Sequence, residues 1–90
     1  MDAREAELLL VTVAADAVSR AQVIQLAEVF GAAVVDVGAE ALTMRLASAP
    51  EVLDDFEDVL RTYGILELQR TGRIALPKLS HPARWLSDER

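Results

Sequence analysis

The stretch ELQRTGRIAL, residues 67–76, sets Arg70 and Arg73 on either side of Thr71-Gly72. Arginines placed across a glycine suit three kinds of work: cradling a phosphate, docking a partner that carries carboxylates, or flanking a hairpin turn as solvated charges. A phosphate loop needs more glycine and a helix opening directly behind it, and this stretch has neither. Gly72 suits a tight turn, which requires positive φ. Arg70 and Arg73 then stand either as a docking pair or as solvated turn charges. As turn residues both are expected to be exposed, so replacing either by alanine should cost no more than about 0.5 kcal/mol.

Other residues with chemical potential lead less far. Asp54, Asp55, Glu57 and Asp58 form the densest acidic group. Carboxylates bind metals or act as acid and base, but no His or Asn interrupts the run, and it lies opposite an apolar helical stripe. A solvated helix face is the expectation. His81 is the single histidine and sits beside Pro82 without a nucleophile or an orienting partner nearby. Asp36 interrupts the apolar VVDVG. Alternation puts it on the open face of a strand, with Val35 and Val37 inward. Trp85-Leu86 is an apolar pair in a proline-flanked tail, a docking peptide or a segment packed on its own domain. No catalytic or metal constellation emerges, so no cofactor is expected on this chain.

Composition narrows the class. Ninety residues make one small domain, burying roughly 60–65% of its unfolded surface. Half the chain is apolar, which argues against disorder. With no cysteine, disulfides and thiolate metal sites are excluded. No apolar run approaches the roughly 18–20 residues of a membrane span, and MDAREAE is too acidic for a signal peptide. A cytoplasmic protein with no membrane partner is expected. The net charge of −6 argues against nucleic acid. That charge is uneven. Residues 1–68 hold four arginines against thirteen acids, a net of −9, whereas residues 69–90 hold five bases against two acids, a net of +3. Such asymmetry steers partners.

The elements follow from periodicity. AELLLVTVA (6–14) reads as a central strand. Ser19, with Gln22 three residues on, fits a capping box for a first helix whose buried face is Val23, Leu26, Ala27 and Phe30, ended by Gly31. AVVDV (33–37) and ALTMRLA (41–47) read as an antiparallel hairpin, the second strand half-buried through Leu42, Met44 and Leu46. Pro50 opens a second helix with the stripe Val52, Leu53, Phe56, Val59, Leu60 and Tyr63, ended by Gly64. ILELQR is a fourth strand with Leu66 and Leu68 inward, Thr71-Gly72 a turn, and RIAL a short last strand. The order is α+β, a ferredoxin-like βαββαβ (ACT-like) sandwich with one antiparallel sheet, two helices on one face and a short extra C-terminal strand. Residues 1–5 form a linker-like lead, 6–77 the domain, and 78–90 a polar tail containing proline. Strand 1 has too many leucines in a row for one side to be wet, so a second protein surface is expected against the sheet or its edge. A homodimer is the simplest candidate.

In order and spacing, VVDV at 34–37, Leu42-Thr43 and YGILELQRTGRIAL at 63–76 resemble the C-terminal domain of the small, regulatory subunit of acetolactate synthase. The resemblance covers about residues 4–78. It implies a partner, the large catalytic subunit, which holds thiamine diphosphate, Mg and FAD and condenses pyruvate into the precursors of branched-chain amino acids. It implies a non-catalytic chain that binds and activates that subunit. Positive charge concentrated in an otherwise acidic chain, without a phosphate motif and within the stretch that most resembles the family, puts the expected contact at Arg70, Thr71, Gly72 and Arg73. The resemblance also implies that the amino-acid-binding ACT half usual in such subunits is not part of this chain. The alternative is a free-standing ACT-like dimer that binds a small metabolite near the first strand-to-helix loop. That loop, AADAVSR, lacks the glycine that would let a ligand approach.

Overall fold

Strand β1 (Glu5–Ala14) is the spine of the molecule. Its alternation divides the run of apolar residues cleanly. Leu9, Val11 and Val13 are fully buried in one cluster with residues of both helices, while Leu10 on the opposite face stays 41% exposed. The computed structural model describes the backbone of residues 5–75 and the side chains of residues 6–72. Expectations for the tail, including His81, Trp85 and Leu86, lie outside the described residues. Helix α1 (Ala17–Phe30), strands β2 (Ala33–Val37) and β3 (Ala41–Ser48), helix α2 (Pro50–Arg61) and strand β4 (Ile65–Ala75) follow in order. The sheet runs β2-β3-β1-β4, and every neighbouring pair is antiparallel. This is the expected βαββαβ, ferredoxin-like sandwich, with both helices on one face.

The first helix starts earlier than its sequence suggests. Asp16, not Ser19, is the N-cap. Its carboxylate accepts from the amides of Val18 (3.0 Å) and Ser19 (2.9 Å), and the Ser19 hydroxyl accepts from the Asp16 amide at 3.0 Å. Two capping residues three apart can each play the cap; here the reciprocal box places Ser19 at the third helical position. Those bonds, led by the Ser19 amide, hold the Asp16 carboxyl below its usual range. Gly31 closes the helix, as expected. Arg20 spans from α1 to the β2–β3 turn, donating to the carbonyls of Gly38 (3.1 Å) and Ala39 (2.7 Å).

Helix α2 obeys its stripe. Leu53, Phe56 and Leu60 are fully buried, and the Phe56 ring lies 4.8 Å from that of Phe30, which ties the two helices together. Each such side chain contributes roughly 1.5–3 kcal/mol through burial. Glu51 in the first turn and Arg61 in the last match the helix dipole.

The two edge strands depart from simple alternation. In β2, Val34 pairs with Met44 and Asp36 with Thr43, so Val35 is an extra, bulged residue. Asp36 is exposed as expected, but Val35 and Val37 are not inward: Val37 is 55% exposed, because a five-residue edge strand has cover on only one flank. In β4, Thr12 pairs with Glu67 and Val13 with Ile65. The unpaired Leu66 is turned out and 62% exposed, while Ile65 and Leu68 pack on the core. The expectation that Leu66 points inward fails through that one-residue register shift. No helix among the described residues is long and apolar enough to cross a membrane.

Candidate partner-binding site

The expected turn at Thr71-Gly72 is a bulge within one continuous strand. Leu9 pairs with Arg70 and Glu7 with Arg73, so Leu8 alone faces Thr71 and Gly72. The separate last strand does not exist as such; RIA continues β4. Gly72 has φ +79°, the left-handed conformation that favours glycine in a bulge of this kind. A hairpin turn and a glycine bulge ask for the same residues. Only pairing with a strand more than sixty residues away tells them apart.

A bulge frees backbone donors from the ladder, and buried or half-buried donors need partners. Two side chains supply them. The Leu8 amide donates to the Thr71 hydroxyl at 3.0 Å, and the Gly72 amide donates to Glu7 Oε2 at 3.0 Å. Glu7 therefore works on both sides of the strand pair, since its other oxygen accepts from Arg70 Nη2 at 2.5 Å.

Arg70 is not an exposed turn charge. Its side chain is only 19% exposed and points to the helix side of the sheet. There Nη1 meets Asp54 at 2.8 Å and Glu57 at 3.2 Å, both from α2. One guanidinium thus joins β4, β1 and α2, an arrangement its planar fork allows and a lysine point charge would not. The network raises the Arg70 pKa, first through Glu7 and then through Asp54. Arg70 in turn holds the Glu7 carboxyl below the usual glutamate range, against the desolvation that would raise it.

The acidic group on α2 is consequently divided rather than uniformly solvated. Asp54 and Glu57 serve Arg70, and Arg61 pairs with Glu57 (2.7 Å) and with Asp58. Among the described residues no group of three or more possible metal ligands stands open to hold an ion. Glu7 was the signal that pattern reasoning passed over. An acid inside AELLLVTVA must be buried or half-buried, and a buried carboxylate needs a cation.

Of the four residues expected to contact a partner, Thr71 and Gly72 are exposed at the bulge, and Arg70 is turned away beneath them. Arg73 stands opposite Glu7 in the strand; the expectation for its side chain lies outside the described residues. On the open face of the sheet, Leu8, Leu10, Gln69 and Thr71 line a shallow groove beside the bulge. Farther along that face the hydroxyls of Thr12 and Thr43 bond at 2.8 Å. The surplus of apolar strand expected from β1 is therefore real, and no layer of the described residues covers it.

Comparison with known proteins agrees with this architecture. The family model described as the small subunit of acetolactate synthase matches residues 6–79. The acetolactate synthase small subunit of Mycolicibacterium smegmatis is 40% identical over 72 residues, which cover 80% of this chain and 42% of that protein. Small subunit 2 of Arabidopsis thaliana, a chloroplastic protein, is 38% identical over 76 residues, covering 84% of this chain and 16% of its own length. The crystal structure of the acetolactate synthase small subunit from Thermotoga maritima superposes with a TM-score of 0.74 at 27% identity, covering 82% of this chain and 45% of the other. The chain thus spans less than half the length of these relatives. With its fold, its βαββαβ order and its sequence matched along residues 6–79, the chain belongs to the acetolactate synthase small-subunit family.

Proposed function

We propose that this chain is a non-catalytic regulatory module that binds the large catalytic subunit of acetolactate synthase and raises its activity in branched-chain amino-acid biosynthesis. The observation that carries the reading is the family match over residues 6–79, on a scaffold whose distinctive surface is a bulged edge strand. Thiamine diphosphate, Mg and FAD belong to the partner in this reading; this chain contributes surface only. The contact lies at the bulge, with Thr71 and Gly72 outermost, Arg73 beside them in the strand and Arg70 behind them. The setting is the cytoplasm. The chain works as a homodimer, which the exposed edge of β2 favours: its valines and unpaired backbone suit a second copy.

The free-standing metabolite-binding reading is weaker on the geometry. The N-terminus of α1 already has its amides occupied by the Asp16 carboxylate, where a ligand carboxylate would bind. The test is co-elution of the full chain with the purified large subunit. A stable complex is expected. Two separate peaks at micromolar concentration, together with a saturable heat of binding for valine, leucine or isoleucine, would replace this reading with the metabolite-binding one.

A further inference from the structure

Glu7 is 7% exposed and sits at the junction of three elements. One carboxylate oxygen holds Arg70, and the other holds the Gly72 amide, 65 residues away. Arg70 is held in turn by Asp54 and Glu57 of α2. The bulge therefore does not depend on Gly72 alone. Glycine permits the left-handed conformation without enforcing it, because it populates both signs of φ. Among the described residues nothing lies within 4 Å of the position a Cβ would take on Gly72, so none of them packs against the bulge there. What fixes it is a pair of side-chain bonds: Glu7 to the Gly72 amide on the helix side, and Thr71 to the Leu8 amide across the strands.

We propose that Glu7 and Arg70 form a clamp that sets the Thr71–Gly72 bulge in its docking conformation, so that Arg70 is a positioning residue and the surface offered to the catalytic partner is the bulge with Leu8, Gln69 and Thr71 on the open face. This rests on the partner-binding reading above and changes what is read by it. The two sides of β4 divide the labour. Arg70 faces the helices, where it meets three carboxylates, and Thr71 and Gly72 face solvent. An arginine already engaged by Glu7, Asp54 and Glu57 has little fork left for a second protein. Removing it acts instead by releasing Glu7, and with Glu7 the Gly72 amide. The link reaches α2 as well, so displacement of Asp54 or Glu57 loosens the same bulge.

The test uses the full chain and two readouts. Hydrogen exchange by NMR follows the Gly72 amide in the free protein, with the amides of Val34 and Thr43 in the β2–β3 pair as internal controls. Titration of the large subunit then gives the half-saturating concentration for activation. In Glu7→Ala, Gly72 exchange should rise at least tenfold while the controls keep wild-type rates, and the half-saturating concentration should rise at least fivefold with the plateau unchanged. Arg70→Lys should fall between Arg70→Ala and wild type in both readouts, because a point charge still holds Glu7. Glu7→Gln keeps an acceptor for Gly72 and should show the smaller change, which preserves the test should either alanine variant fail to fold. Unchanged Gly72 exchange in Glu7→Ala and Arg70→Ala would overturn the clamp. Faster Gly72 exchange with unaltered activation would overturn the positioning role and leave the partner-binding reading standing, whereas no activation by the wild-type chain would overturn that reading and the positioning role with it.

Discussion

The two edges of the sheet solve the same problem in opposite ways. β2 is five residues long, bulged at Val35, and presents valines to solvent; Arg20 of α1 holds the turn behind it, but among the described residues no ion pair pins the strand itself. β4 is eleven residues long, bulged twice, and pinned at its far bulge by Glu7, Arg70 and Thr71. Exposed edges invite pairing, and bulges and charges restrain it. β2 is short, and its open edge is the one proposed above for a second copy of the chain. β4 is long, and its irregularities convert a pairing edge into a shaped surface. Apolar burial also differs, since Ile65 and Leu68 of β4 pack on the core while every residue of β2 is exposed, and the three-carboxylate clamp on β4 adds to that difference.

Removing the clamp's centre should change that contrast most, by making β4 more like β2. Arg70→Ala leaves Glu7 half-enclosed without its cation. The expected loss is about 2 kcal/mol, below the range for a fully buried pair because Asp54 is open to water. For a chain of this size that corresponds to a fall in Tm of roughly 10 °C by calorimetry. A fall under about 3 °C would mean the network is a surface decoration and the edges are alike. Gly72→Ala meets no neighbour among the described residues and its cost is that of the left-handed backbone, so a loss of about 1 kcal/mol is expected in a urea melt. Gly72→Asn should lose less, since asparagine tolerates that conformation.

A smaller, pH-dependent difference follows from Glu7. Its carboxyl is held low by Arg70 in the folded state, so its contribution is complete above the ordinary glutamate value of about 4.3 and is lost as pH falls through the lower folded value. Tm measured from pH 6 to pH 3 should therefore drop more steeply in wild type than in Glu7→Gln. Parallel curves would contradict the coupling. Smallest of all, Val35→Lys on β2 should change the melting of the monomer by no more than about 0.5 kcal/mol, while shifting a sedimentation profile from dimer to monomer. A dimer that persists would move the self-association surface away from that edge.

The edges also mark where the fold was legible. Helix α2 was readable because Pro50, Leu53, Phe56 and Leu60 obey a local period, β1 from its nearly continuous apolar run and β3 from alternation. Short-range rules suffice there. At α1 two cap-competent residues, Asp16 and Ser19, share one box, and local pattern assigns the roles the wrong way round. On β4 the difficulty is deeper. Thr71-Gly72 between charges is the signature of a turn and equally of a bulge, and the choice is made by Glu7 in another strand. Arg70 looks like a surface charge until Asp54 and Glu57 are brought over it by the packing of α2. Leu66 reads as inward until the register shift opposite Thr12 and Val13 is known. What local pattern cannot supply is long-range register, and both bulges of β4 are register events.

We propose above that this chain modulates a catalytic partner and does no chemistry of its own. Acetolactate formation by the purified large subunit, with thiamine diphosphate, Mg and FAD present, measured as the full chain is added, tests it most directly. A saturable rise in rate with added chain, and no turnover by the chain alone, are expected. A rate that stays flat at every concentration, or acetolactate formed without the large subunit, would contradict it.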